Sequence, residues 1–173
     1  MRRWLLPMLI GLILAMAAWQ VTLRLFPETL MSLAINRVAQ RGGINVFSHA
    51  PLATDKARAI VRPSPDLAYS SCPFDLSKGP LLIAATPVTA PYWSLSVFDA
   101  QTNAVFVRND AGGQHRPIKL VIATAGQQVP PGIETVRVDG PRGIALIRIL
   151  IADRADFAAI DTARRGATCR SLG

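Results

Sequence analysis

Hydrophobic and polar positions follow three patterns in turn along the chain. The first is an unbroken apolar run. Trp4 to Leu23 holds no charged residue, and its notably polar members, Gln20 and Thr22, stand at the far end. Twenty helical residues at ~1.5 Å each rise about 30 Å, the hydrocarbon thickness of a bilayer. Lipid offers a backbone no hydrogen-bond partners, so a run that crosses it must be helical. Trp4 and Trp19 mark the two ends, where amphipathic rings favour the headgroup level. Pro7 falls in the first turns, where a missing N–H costs least.

The second pattern has helical spacing: Leu30, Leu33, Ala34 and Val38 recur between Pro27 and Gln40. Pro27 suits a first helical position and Gly42-Gly43 a stop. This predicts a separate juxtamembrane helix, either packed on the following domain or lying on the membrane surface.

From Ala59 onward the period becomes two. In Leu67–Leu76 the even positions Ala68, Ser70, Cys72, Phe74 and Leu76 are small or apolar, which places Cys72 on a buried face. Further strands are predicted at Leu81–Ala85, Tyr92–Asp99, Ala104–Arg108, Pro117–Thr124, Thr135–Val138 and Ile144–Ile151. In Tyr92–Asp99, Trp93, Leu95 and Val97 fall on one face and Ser94 and Ser96 on the other. Ile144–Ile151 is apolar on both faces apart from Arg148, the mark of a central strand. A last helix starts at the N-cap Asp153, buries Phe157 and Ile160, and stops at Gly166 after Arg164 and Arg165. The expected class is α+β, mainly β: a β-sandwich or barrel-like core of about eight short strands with flanking helices, after one N-terminal transmembrane helix. The division is 1–26 as anchor, 27–43 as juxtamembrane helix and 44–173 as exported domain.

Charge sets the orientation. Arg2 and Arg3 flank the apolar run on its N-terminal side, against Arg24 alone on the other. The positive-inside rule puts the N-terminus in the cytoplasm and the domain outside, which predicts a single-pass inner-membrane protein with a periplasmic domain. A cleaved signal peptide, with Ala15-Met16-Ala17 as the cleavage site, is the rival reading; the apolar run continues well past that site. Beyond the anchor, sixteen cations against eleven acids leave about +5, evenly spread. That describes a solvated surface or contact with anionic lipid or envelope polymer; nucleic acid is not an expected partner. Cys72 and Cys169 are the only cysteines and lack metal-ligand spacing. In an oxidising compartment they read as one disulfide, and otherwise as two buried thiols.

Candidate chemistry is sparse. Pro63-Ser64-Pro65-Asp66 is a stiff segment that could present the Asp66 carboxylate beside Tyr69, and Asp99 and Asn103 bracket a turn. These four are the candidate ligand rim; each Asx also has a purely local reading as a turn cap. His49 and His115 are isolated, no metal-ligand cluster is visible, and Ser70 and Ser71 have no evident base. Nucleophile-elbow, phosphate-loop and dinucleotide motifs are missing, so no cofactor is implied.

The run Arg62-Pro63-Ser64-Pro65-Asp66-Leu67-Ala68-Tyr69-Ser70-Ser71, then Asp75-Leu76-Ser77-Lys78-Gly79-Pro80, Tyr92-Trp93-Ser94 and Asp99-Ala100-Gln101-Thr102-Asn103, is similar to the motif series of the domain of unknown function 1254 family. Gly42-Gly43-Ile44-Asn45, His49-Ala50-Pro51 and Cys169 extend the likeness to its short single-domain bacterial branch with an N-terminal membrane helix. The resemblance implies a β-rich domain with no established reaction. Longer members fuse this domain to one of the domain of unknown function 1214 family, which implies a separate protein of that type as a partner. Two functions follow as expectations: a non-catalytic envelope binding module, or an enzyme acting on envelope lipid or saccharide with Asp66, Tyr69 and Asp99 converging on one cleft.

Overall fold

The computed structural model describes residues 2–54, 63–110 and 116–173; the onset of the strand pattern at Ala59, and His115, lie outside them. The two helices expected at the N-terminus are one. Helix α1 runs from Arg2 to Gly42, 41 residues, with Pro27 inside it. Pro27 cannot donate to the carbonyl of Leu23, but good turns flank it on both sides, and ending the helix there would leave further backbone groups unbonded. Gly43 ends it in the left-handed region (φ 90°), where its N–H bonds the Ala39 carbonyl at 2.8 Å.

Among the described residues nine strands form two sheets: β1 (Ser48–His49), β2 (Leu67–Asp75), β3 (Leu81–Ala85), β4 (Trp93–Phe98), β5 (Ala104–Asn109), β6 (Ile118–Thr124), β7 (Glu134–Val138), β8 (Arg142–Leu150) and β9 (Thr168–Ser171). The first sheet has the order β1-β2-β8-β4-β5 and the second β7-β6-β3-β9. They pack as an open sandwich. β8 is the central strand of its sheet, as its apolar sequence predicts. All pairings are antiparallel except β6 with β7. That parallel pair is joined without a helix. Gln127 holds the connection by accepting from the Thr124 N–H and donating to the Leu76 carbonyl, and Arg137 donates to the carbonyls of Thr124 and Gln127. The edge strands β1 and β9 escape sequence analysis because two to four residues carry no periodicity.

The core lies between the sheets. Ala68, Cys72, Phe74, Trp93, Leu95, Val97, Ala145, Ile147 and Ile149 face Leu81, Ile83, Leu120 and Ile122. The disulfide Cys72–Cys169 crosses this core and ties β2 of one sheet to β9 of the other. Gly143, paired with Phe74, is required by close approach: a Cβ there would overlap the Phe74 ring and the Phe98 carbonyl oxygen. Asp153 caps a single 3-10 turn (Arg154–Asp156), which leads into α2 (Phe157–Arg164).

The last turns of α1 bury Met31 and Ile35 outside the inter-sheet core, and Asn36 accepts from Arg142 at 3.1 Å. Gly42 lies against Ser48, the partner of Ser71, whereas Arg142 is the partner of Asp75. α1 therefore runs counter to β2 and leaves the domain at the Asp75 end.

Candidate functional site

The strand register builds a polar row across the outer face of the larger sheet. Tyr69, Arg148, Ser94 and Asn109 are successive cross-strand partners on β2, β8, β4 and β5. Neighbouring strands lie ~4.8 Å apart, so the row is about 15 Å long. Ser71, Leu146, Ser96 and Val107 form the next row toward the Asp75 end. The Arg148 guanidinium reaches diagonally into it, donating from Nη2 to Ser96 Oγ at 3.3 Å. Ser94 and Ser96 are fully buried, although alternation alone marks them as an outward polar face. Ser94 Oγ and Arg148 Nε are buried with no hydrogen-bond partner. Such groups cost about 1–3 kcal/mol each, more for a charged one, so the row is a place where the fold does not satisfy itself.

The four candidate rim residues fall into two pairs. Tyr69 joins the row, and its hydroxyl accepts from the Ser64 N–H at 3.1 Å. Asp66 is exposed in the turn just before β2, its N–H bonded to Ser64 Oγ and its carbonyl to the Ile151 N–H. Asp99 and Asn103 are at the opposite end of the sheet. There the Asp99 carboxylate accepts from the backbone N–H groups of Gln101 and Asn103 and from Asn103 Nδ2, at 2.8–2.9 Å. Asp99 is thus occupied with its own turn. Phe98 pairs with Ile144, and Ile144 with Pro73, so Asp99 stands about eight residue steps from Asp66, roughly 25 Å at ~3.3 Å per step. The fold does not bring these four side chains around one cleft.

Three other polar groupings are self-satisfied. Arg164, 2% exposed, fills the end of the sandwich by β1. Its Nη1 and Nη2 donate to the carbonyls of Tyr69 and Ala50, and its Nε to Asp161, at 2.6–2.7 Å. Burial works against the Asp161 carboxylate, but hydrogen bonds from Arg165 and Arg164 and their charges outweigh it and hold its pKa below the ordinary value. His49 Nδ1 shares a 2.9 Å hydrogen bond with Ser70 Oγ, so the fold supplies a ring nitrogen that the sequence does not reveal. Ser70 is fully buried on the face of β2 that carries the core residues Ala68 and Cys72. Burial, then the charges of Arg164 and Arg165, lower the His49 pKa. Near the end of α1, Ile44, Asn45, Asp75, Ser77 and Lys78 line a shallow cavity of about 300 Å³. Its Asn45 side chain is spent on the Asp75 backbone, and hydrogen bonds from Ser77 keep the Asp75 pKa low. Among the described residues no group of three or more His, Cys, Asp or Glu could hold a metal ion.

A family model described as "Protein of unknown function (DUF1254)" matches residues 44–171. The chain belongs to the DUF1254 family. The DUF1254 region opens just past the end of α1 and takes in all nine strands, so the anchor-like helix is an addition to it. No curated protein matches the chain. The VPA0106 protein of Vibrio parahaemolyticus has the same fold, with a TM-score of 0.61 at 16% identity over 84% of this chain and 37% of its own. An uncharacterized protein from Burkholderia cenocepacia aligns at a TM-score of 0.45 and 13% identity, over 64% of this chain and 32% of its own. This DUF1254 chain therefore spans about a third of the length of these solved structures. Of the polar row, Tyr69 alone is a candidate from the sequence; the signal for the rest is Arg148, the one charge in the apolar stretch Ile144–Ile151.

Proposed function

We propose that this DUF1254 protein is a single-pass membrane-anchored module of the cell envelope that binds a ligand or partner and does not catalyse a reaction. The observation that carries the reading is the two-part character of α1. Its large apolar residues from Trp4 to Phe26 are all exposed, a surface that needs lipid around it, whereas Met31 and Ile35 are buried against the domain. Membrane segment and domain share one helix, which fixes how the domain stands on the bilayer. The Asp75 end, with the Asp99–Asn103 turn, faces the membrane, and the Tyr69–Arg148–Ser94 row lies away from it. The Arg2-Arg3 flank supports a cytoplasmic N-terminus, and the Cys72–Cys169 bridge suits an oxidising periplasm. The enzyme alternative required Asp66, Tyr69 and Asp99 to meet, since acid–base partners need hydrogen-bond reach or one intervening water.

The protein partner we propose is a separate protein with a 1214-type domain, the partner that the family resemblance implies. The topology test is a pair of reporters fused after Gly173. Alkaline phosphatase should be active and a cytoplasm-dependent fluorescent protein dark, with the fusion retained in the membrane fraction at full-length mass. A bright fluorescent fusion, or a soluble product cut after Ala17, would refute the anchored, exported arrangement.

A further inference from the structure

We propose that Arg148, Ser94 and Tyr69 form the floor of a binding site for an anionic oxo group, a carboxylate or a phosphate, carried by a soluble ligand. The inference deepens the binding-module reading and rests on it.

The contrast between two arginines of this chain carries the argument. Arg164 shows what a structural arginine looks like here: buried, with its donors spent on two carbonyls and a carboxylate at 2.6–2.7 Å. Arg148 makes one 3.3 Å bond to Ser96, and its Nε is buried with no partner. Among the described residues no carboxylate pairs with it. Guanidinium stays charged at every physiological pH, so the cost of this position cannot be relieved by losing a proton. A central strand of the larger sheet thus holds a fixed positive charge whose planar fork is largely unused.

The groups beside it are donors as well. Ser94 is its direct cross-strand partner on β4, fully buried, with a hydroxyl that bonds nothing. Tyr69 is its partner on β2; its hydroxyl oxygen already accepts from the Ser64 N–H, which leaves the phenolic proton to donate. A fork with a single 3.3 Å bond to Ser96, a hydroxyl and a phenol on one row match the oxygens of a carboxylate or phosphate. Arg148 and Tyr69 are only partly buried, so the row is open to a ligand at those two positions, with Ser94 enclosed beside them. The row stands six residues along β2 from Asp75, where α1 departs, or about 20 Å at ~3.3 Å per residue. That separation favours a soluble ligand over a headgroup of the protein's own bilayer.

The test uses the full chain in neutral detergent micelles. Inorganic phosphate and, separately, acetate are titrated at constant ionic strength set with chloride. Two readouts are followed, the arginine side-chain Nε–Hε resonances and the thermal midpoint. The expected result is one Nε–Hε resonance that shifts saturably, with a saturating rise in midpoint. Arg148→Gln should remove that resonance and weaken apparent affinity at least about ten-fold, the scale of one charge-assisted hydrogen bond. Ser94→Ala should weaken it several-fold while leaving the fold intact. A midpoint rise that is linear and equal in wild type and Arg148→Gln would be a general salt effect and would overturn the proposal. If Arg148→Gln does not fold, the wild-type resonances and Ser94→Ala decide, and the lack of any saturable shift overturns it. In a second arm, nanodiscs of neutral lipid are compared with nanodiscs containing phosphatidylglycerol, without free anion. An unchanged Arg148 resonance supports the soluble source; a shift with phosphatidylglycerol overturns it. Micelle binding does not depend on topology, so the reporter test can fail while this one succeeds, and the reverse.

Discussion

Removing the Cys72–Cys169 bridge should cost this domain a large part of its stability. The bridge closes a loop of 97 residues and joins facing strands of the two sheets, so in the unfolded chain it holds together segments that would otherwise drift far apart. Loop-closure entropy for that separation amounts to about 4–5 kcal/mol at 25 °C. Replacing both cysteines by alanine also empties two buried positions, 0% exposed at Cys72 and 7% at Cys169, for roughly 1 kcal/mol more at each. Reduction of the wild-type protein keeps the sulfur atoms and isolates the cross-link. The assay is urea unfolding of the full chain with Trp4 and Trp19 changed to Phe, so that fluorescence reports the buried core residue Trp93. At a slope of ~2 kcal/mol/M the reduced protein should lose about 2 M in midpoint. Its slope should also rise, because a chain without the cross-link exposes more surface on unfolding. A loss below about 1 kcal/mol with an unchanged slope would refute the entropic account and mean that the unfolded chain stays compact without the bridge.

Arg164→Met should lower stability by about 3 kcal/mol or more, read as the same midpoint shift. It strips donors from the carbonyls of Tyr69 and Ala50 and leaves Asp161 only Arg165; a loss under 1 kcal/mol would show the clamp to be dispensable. His49 should make the domain acid-sensitive. Its folded pKa lies below the reference value of 6.5, so the unfolded chain binds the proton more tightly. The stabilisation is full above about pH 6.5 and is lost as pH falls through the folded pKa. Midpoints measured from pH 5 to 7.5 should therefore climb with pH in wild type and climb less in His49→Gln; equal slopes would contradict the assignment.

The elements legible in the sequence were those with long, regular patterns. The apolar run Trp4–Leu23 needs only the thickness of a bilayer to be read, and the alternation in β2, β3 and β4 needs only one buried face. Cys72 could be placed inward because its neighbours Ala68, Ser70 and Phe74 share its parity, a local fact. Pro27 misled because its lost hydrogen bond is local, whereas the helix on either side of it is secured by the bilayer-length run and by Met31 and Ile35 packing on the sheet.

What tertiary structure alone decided were the relations between strands far apart in sequence. Tyr69, Ser94 and Arg148 span about eighty positions and meet only because β8 pairs between β2 and β4. By the same register Asp66 and Asp99, which lie on one sequence motif series, are carried to opposite ends of a sheet. The burial of Ser94 and Ser96 and the uneven satisfaction of Arg148 and Arg164 follow from what packs over each strand. Sequence periodicity tells which side of a strand a residue faces; only the assembled sheets determine what stands opposite it.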